Sequence, residues 1–254
     1  MQTIGLIAAM AEESQALLRY VRQWECGSLE GLRSYTFSIT GTQCVLVTSG
    51  MGTRRAREAA RSLVETYSPH RLVSLGIAGA VEPDLEIGDV ILVEQVFRLD
   101  QAGLVPGTPL IAWPEAANQA VEQALIERGA HVYRGLAITT SGSQAVGTLL
   151  GGMKHPVLEM ETYGIAQVAA EKGMPLLAIR AISDGPCAPI PFDLGEVMDE
   201  DANLRVGKLL GAIVHNPKII SQSRQMMRNN RIAAENAAIA LLAALSQADF
   251  GKIQ

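Results

Sequence analysis

Short apolar runs rich in branched residues alternate along this chain with longer segments whose apolar positions recur every three to four residues. Runs of the first kind predict strands, and segments of the second kind predict amphipathic helices. "TIGLIAA" (3–9) reads as a buried strand and "AEESQALLRYVRQ" (11–23) as a helix. "SYTFSI" and "QCVLVTS" predict two strands separated by the turn-like "TGT". From Thr53 to Tyr67, Ala56, Ala59, Ala60, Leu63 and Val64 fall at helical spacing with arginines around them. "RLVSLGIAG" (71–79) and "DVILVEQVF" (89–97) predict strands again. Pro114 suits a helix first turn, and "EAANQAVEQALIERG" stops on Gly129. "HVYRGLAIT" and "PVLEME" predict two more strands, the second leading into a helix that runs to Gly173, and "MPLLAIRAIS" (174–183) is the last clear strand.

This alternation predicts an α/β fold with a largely parallel or mixed sheet and helices on both faces. After Asp184 the pattern changes. "GPCAPIPFD" is a proline-rich loop, and residues 200–247 read as helices only, interrupted at Asn216-Pro217. Packing against the core is the simplest role for that tail, with a lid or an oligomer contact as alternatives. No internal repeat or low-complexity linker divides the chain. The expected organisation is therefore one domain over residues 1–254, with a helical C-terminal extension at about 200–248. The 254 residues, 48% hydrophobic, suffice for one sizeable core. A net charge of −5 argues against a general nucleic-acid footprint. Cys26, Cys44 and Cys187 have no CxxC spacing, which favours reduced thiols in a cytoplasmic protein. The N-terminus reaches acids without a basic region and reads as a strand, not a signal peptide. The apolar run "AAIALLAAL" is nine residues, too short to span a bilayer.

In sheets of this class ligands bind beyond the carboxyl ends of strands, so polar groups there are the ones to weigh. Glu12 and Glu13 follow the first strand; taken alone, they are acids in a helix's first turn, favoured by its dipole. "TSGMGT" and "LGIAGA" are either tight turns or places where a ligand approaches the backbone closely and N–H groups bind hydroxyls or anions. Neither is a phosphate loop or a full dinucleotide fingerprint. In "LEMET", Glu159 and Glu161 share one face if the strand continues. If the strand ends, one of them caps the following helix; Glu159 also has a salt-bridge partner available in Arg180, expected on a neighbouring strand. Ser183 and Asp184 close an apolar strand, either as a turn or as an acid whose raised pKa lets it donate a proton. There is no HExxH, no cysteine–histidine metal spacing and no G-x-S-x-G. His70, His131, His155 and His215 are scattered, so neither a metal nor a cofactor is expected.

Taken together and in order, "IGLIAAMAEE", "SGMG", "GIAGAVEPDLEIGDVILVEQV" and "LEMETYGIAQVAAEKGMPLLAIRAISD" resemble the nucleoside phosphorylase and nucleosidase superfamily. Within it the resemblance is to the 5′-methylthioadenosine/S-adenosylhomocysteine nucleosidases, over roughly residues 3–184. It implies a three-layer α/β/α sandwich around a central mixed, twisted sheet, assembled as a homodimer or higher homo-oligomer. It also implies cleavage of the N-glycosidic bond of a purine nucleoside, with adenine as the expected base. By that resemblance Glu13 activates the attacking water. Asp184 protonates the purine at N7, with Ser183 orienting it. Met160 and Glu161 bind the ribose, Ala78 and Gly79 lie beside base and sugar, and Arg180 holds the acidic cluster. Glu159 and Met51 support these groups. The chemistry is coherent, because an oxocarbenium-like state gains from nearby carboxylate charge and the leaving purine needs a proton.

The chain departs from the pattern in three places. The first loop "AAMAEE" and the run "LVSLGIAG" lack the arginines that hold phosphate in the phosphorylase branch; Arg54 and Arg55 lie near but are expected on an exposed helix face. Water is thus the expected nucleophile, with phosphate as the alternative. "TTSGSQAV" (139–146) offers no aromatic residue to stack on the base, and "RLDQAGLVPGTP" is unlike the usual loop, which leaves the 5′-substituent open. The tail resembles that of hopanoid-associated phosphorylase-like proteins, making an adenosyl-hopanoid an alternative substrate. Membrane contact by the C-terminal helices ranks behind packing. A non-catalytic nucleoside-binding protein is the remaining alternative, which the intact set Glu13, Glu161 and Asp184 opposes.

Overall fold

Alternation along the first strand decides the layering. β1 (Thr3–Ala8) sends Ile4, Leu6 and Ala8 to one face of the sheet and Ile7 to the other, and β4 (Thr42–Thr48) divides Cys44 and Leu46 from Val45 and Val47 in the same way. Helices α1 (Ala11–Leu18), α3 (Glu115–Ile126) and α5 (Lys218–Leu245) cover the first face. Helices α2 (Thr53–Tyr67) and α4 (Thr162–Glu171) cover the second. The result is the α/β/α sandwich expected from the sequence. The structure, a computed structural model, describes residues 2–101, 103–140, 150–186 and 218–247. The helices read at 200–217, Cys187, His215, most of "GPCAPIPFD" and residues 141–146 of "TTSGSQAV" lie outside the described residues.

The hub of the sheet is β5 (Arg71–Ala80). Along one edge it pairs in parallel with β1 through residues 71–75 and antiparallel with β9 (Pro156–Glu159) at Gly79 and Ala80. Along the other edge it pairs in parallel with β10 (Leu176–Asp184). From β10 the ladder continues to β6 (Val90–Asp100), then β8 (Val132–Thr139), and returns to β9. Strands β5, β10, β6, β8 and β9 therefore form a closed circuit. From it β1, β4, β3 (Leu32–Ile39) and β2 (Trp24–Leu29) extend as an open wing, and β7 (Gly103–Pro109) hangs from β6.

Several boundaries differ from the sequence reading. Helix α1 stops at Leu18, not Gln23, because the chain turns to build the hairpin β2–β3, where Trp24 packs edge-on against Tyr35. β2 is polar and almost wholly exposed, so it shows no apolar period. The segment "GLVPGTP", read as loop, is the edge strand β7, a position that tolerates proline. Pro114 precedes α3 as its cap instead of entering the first turn, and α3 ends at Ile126, before Gly129. β9 ends at Glu159, two residues early. β9 and β10 are not neighbours; β5 lies between them.

Candidate functional site

β1 delivers its chain into α1, and the two acids of that first turn part company. Glu12 is exposed, whereas Glu13 is buried. Glu13 Oε2 accepts the Met10 N–H at 2.8 Å, the reach-back of a capping residue, and Oε1 accepts the Ile77 N–H of β5 at 3.0 Å. Burial pushes the Glu13 carboxyl above its ordinary range, partly countered by those two donors. Gly76 makes this approach possible, since a Cβ there would stand 2.8 Å from Glu13 Oε1.

Asp184 uses the same device three residues further along β5. A Cβ on Gly79 would lie 2.7 Å from Asp184 Oδ2. Ser183 Oγ donates to Asp184 Oδ1 at 2.7 Å, with the Ala78 carbonyl 3.3 Å away. Burial raises the Asp184 carboxyl, and the Ser183 hydroxyl opposes it. The glycines of "LGIAGA" thus admit the protein's own carboxylates.

The turn from β9 into α4 carries the other two acids, and they differ sharply. Glu159 sits among five donors. Oε1 takes the Thr139 hydroxyl; Oε2 takes the N–H of Glu161 (3.0 Å), the N–H and hydroxyl of Thr162 (2.7 and 2.6 Å) and Arg180 Nη2 (2.8 Å). Burial alone would raise Glu159, but the Arg180 charge and the hydroxyls outweigh it and hold the carboxyl low. Arg180, also buried, donates from Nη2 to Ser74 Oγ at 2.8 Å and Thr162 Oγ1 at 2.6 Å. Glu161 has fewer donors: the N–H of Gly52 at 2.7 Å and of Met160 at 3.2 Å. Burial, reinforced by the negative charge of Glu159, pushes Glu161 up to about 8.

The glycine turn after β4 is pinned to this turn. Gly52, at φ 101°, points its N–H at Glu161, Thr53 Oγ1 donates to the Met160 carbonyl at 2.8 Å, and Met51 immediately precedes Gly52 in the same turn. A helix N-terminus is therefore turned towards a half-buried carboxyl. Arg54, in contrast, lies exposed and pairs with Glu58 at 3.2 Å, as expected for an outer helix face, whereas Arg55, expected on the same face, is half-buried against Gly50 of the turn.

Glu13, Ser74, Gly76, Glu161 and Arg180 line one narrow cavity. A wider cleft of about 340 Å³ lies between β7 and α4, bounded by Pro106–Pro109 with Tyr163 and Gln167. It has no carboxylate in its lining; Glu13 and Glu161 line the narrow one, and Asp184 lines neither. The sequence did not single out Ser74, Thr139 or Thr162. Thr139 meets Glu159 through the β8–β9 register, a pairing with no local signal. The histidines are less isolated than expected, for His155 Nδ1 lies 3.1 Å from Glu82 Oε2, with Asp84 close by, and His131 Nδ1 lies 3.5 Å from Asp89. Among the described residues, no helix is long and apolar enough to cross a membrane.

The model of the phosphorylase superfamily matches residues 3–215. The chain is 31% identical over 214 residues to a 5′-methylthioadenosine/S-adenosylhomocysteine nucleosidase of Oceanobacillus iheyensis, covering 75% of this chain and 90% of the relative. Its fold is similar to that of the Neisseria meningitidis nucleosidase of the same name in complex with methylthio-immucillin-A. There the TM-score is 0.70 at 21% identity, over 97% of this chain and 99% of that one. It is also similar to futalosine hydrolase of Helicobacter pylori, with a TM-score of 0.69 at 18% identity, over 96% and 97% of the two chains.

Proposed function

The chain belongs to the phosphorylase superfamily, and on that premise we propose that it hydrolyses the N-glycosidic bond of a purine nucleoside with adenine as its base. One observation carries this reading: two carboxyls raised by desolvation, the buried Glu13 and the half-buried Asp184, stand over Gly76 and Gly79 of a single strand. Asp184, its carboxyl raised by burial, donates to N7 of the departing base. Glu13 takes a proton from the attacking water. Glu161, pushed up to about 8, hydrogen-bonds the sugar hydroxyls, and when ionised its carboxylate favours the cation that develops on the ribose. Met160 lies beside the nucleoside. Arg180 and Glu159 neutralise each other beneath, so the buried acids are not all left unpaired.

Water as nucleophile is supported by the engagement of Arg54 with Glu58 and by the absence of arginine from the first loop. The 31%-identical relative is named for methylthioadenosine and S-adenosylhomocysteine, and these head the substrate panel.

The test is product analysis on purified protein with methylthioadenosine, S-adenosylhomocysteine and adenosine, with and without phosphate. Free adenine and free sugar without phosphate are expected. Sugar 1-phosphate formed only with phosphate would overturn hydrolysis, and binding without product would overturn catalysis altogether. Asp184→Asn should lower base release by about 10²–10⁴-fold, the usual contribution of a positioned acid, with an unchanged circular dichroism spectrum. Near wild-type turnover in that variant would remove Asp184 from the donor role.

A further inference from the structure

Neither Thr139 nor Thr162 reaches the cavity directly, yet both are buried with their hydroxyls fully engaged. Thr139, at the end of β8, donates to Glu159 Oε1 and accepts the Tyr163 N–H at 3.0 Å. Thr162, in the first turn of α4, donates to Glu159 Oε2 at 2.6 Å and accepts Arg180 Nη2 at 2.6 Å. The two side chains hold the Glu159 carboxylate from both oxygens. That carboxylate in turn holds the backbone N–H of Glu161 and of Thr162. The β9–α4 turn is therefore built around the fixed head of Glu159, and Glu161 projects from it towards Gly52.

We propose that Thr139 and Thr162 are positioning residues for Glu161: by fixing the Glu159 head they set the turn that offers the Glu161 carboxyl to the sugar hydroxyls of the substrate. The inference rests on the sugar-binding reading of Glu161. The physical reason lies in the geometry of that head. A carboxylate gripped at one oxygen swings about its last bond, whereas one gripped at both has a single orientation. A hydroxyl lost from a buried charged partner leaves that partner short of a donor it cannot replace from water. Small displacements of a group that grips substrate cost more in rate than in stability.

The experiment compares a nucleoside with its versions lacking one sugar hydroxyl. Methylthioadenosine and adenosine are each paired with the 2′-deoxy and 3′-deoxy forms, and kcat and KM are measured for wild type, Thr139→Val, Thr162→Val, both serine variants and Glu161→Gln. Valine keeps the volume and removes the hydroxyl; serine restores it. Each valine variant should lose about tenfold or more in kcat/KM on the ribonucleoside, the scale of one hydrogen bond to a charged group. It should lose under about threefold on the deoxy form whose missing hydroxyl Glu161 would bind, so the preference for ribose collapses. Each serine variant should recover most of that preference. Equal losses on both substrates, or no loss on either, would overturn the inference. Failure of both valine proteins to fold would also overturn it, since the hydroxyls would then serve the core. Glu161→Gln separates this inference from the reading beneath it. If it leaves the ribose preference intact, the sugar-binding role of Glu161 fails; if it collapses the preference while both valine variants do not, only the positioning role fails.

Discussion

Two glutamates separated by one residue have opposite titrations, and the difference lies in their donors. Glu159 meets a guanidinium and two hydroxyls, whereas Glu161 meets two backbone N–H groups and the charge of Glu159. The stability consequence has a definite sign. Glu161 titrates near 4.5 in the unfolded chain and at about 8 in the folded one, so the folded state binds the extra proton between those values. Stability from this group is greatest below about pH 4.5 and is lost as pH rises through about 8. The upward shifts of Glu13 and Asp184 act in the same direction. Glu159, held low, acts oppositely: its contribution is present above its ordinary pKa and is lost as pH falls below it. Glu161→Gln should therefore flatten the decline of thermal stability between pH 5 and 9 relative to wild type, as read by melting at intervals of about one pH unit. Parallel curves for the two proteins would show that Glu161 ionises freely in the folded state. The sequence made both acids visible as candidates, and the possible Arg180 partner with them. It did not reveal which of the two would be stabilised, because the deciding Thr139 hydroxyl comes from a distant strand.

At the scale of elements, the site depends on the close approach of α2 and α4. Gly164 in α4 faces the Thr53 carbonyl, and a Cβ there would stand 2.3 Å from it. That contact brings Gly52 and Thr53 within reach of Glu161 and Met160. Gly164→Ala must push the helices apart. Overpacking of this kind costs about 1–3 kcal/mol, and the two hydrogen bonds across the junction would stretch with it. The expected result is a modestly lowered Tm together with a larger fractional loss in kcat/KM than the stability change alone accounts for. An alanine variant with wild-type kinetics would mean that the α2–α4 junction does not set the site. Strong apolar periods made β1, β5, β10 and α2 legible. β2 and β7 were not, because one is polar and exposed and the other carries prolines on an edge.

Across the whole molecule, the closed circuit of β5, β10, β6, β8 and β9 was beyond a reading of local pattern, since its closing β5–β9 pairing joins residues far apart in sequence. The C-terminal helix was legible as apolar and helical, with packing as its simplest role, and the contacts of its described residues agree with that role. Ala233, Ala237, Ala240, Leu241 and Ala244 are buried in the same core as β1, β5 and β10. Asn236 donates to the Gly88 carbonyl at 2.7 Å and accepts Arg128 Nε at 2.6 Å. Gly88 donates to the Ile182 carbonyl at 2.8 Å, two residues before Asp184. The described part of α5 is therefore a packing layer tied to the back of the β10 strand, not a lid over its front. Asn236→Ala distinguishes the two. It leaves the Gly88 carbonyl without its buried donor, at about 1–3 kcal/mol, which corresponds to a fall in Tm of roughly 3–10 °C. A packing role predicts that fall with KM unchanged. A lid predicts the reverse, an unchanged Tm with an altered KM, and melting curves alongside steady-state kinetics on one preparation decide between them.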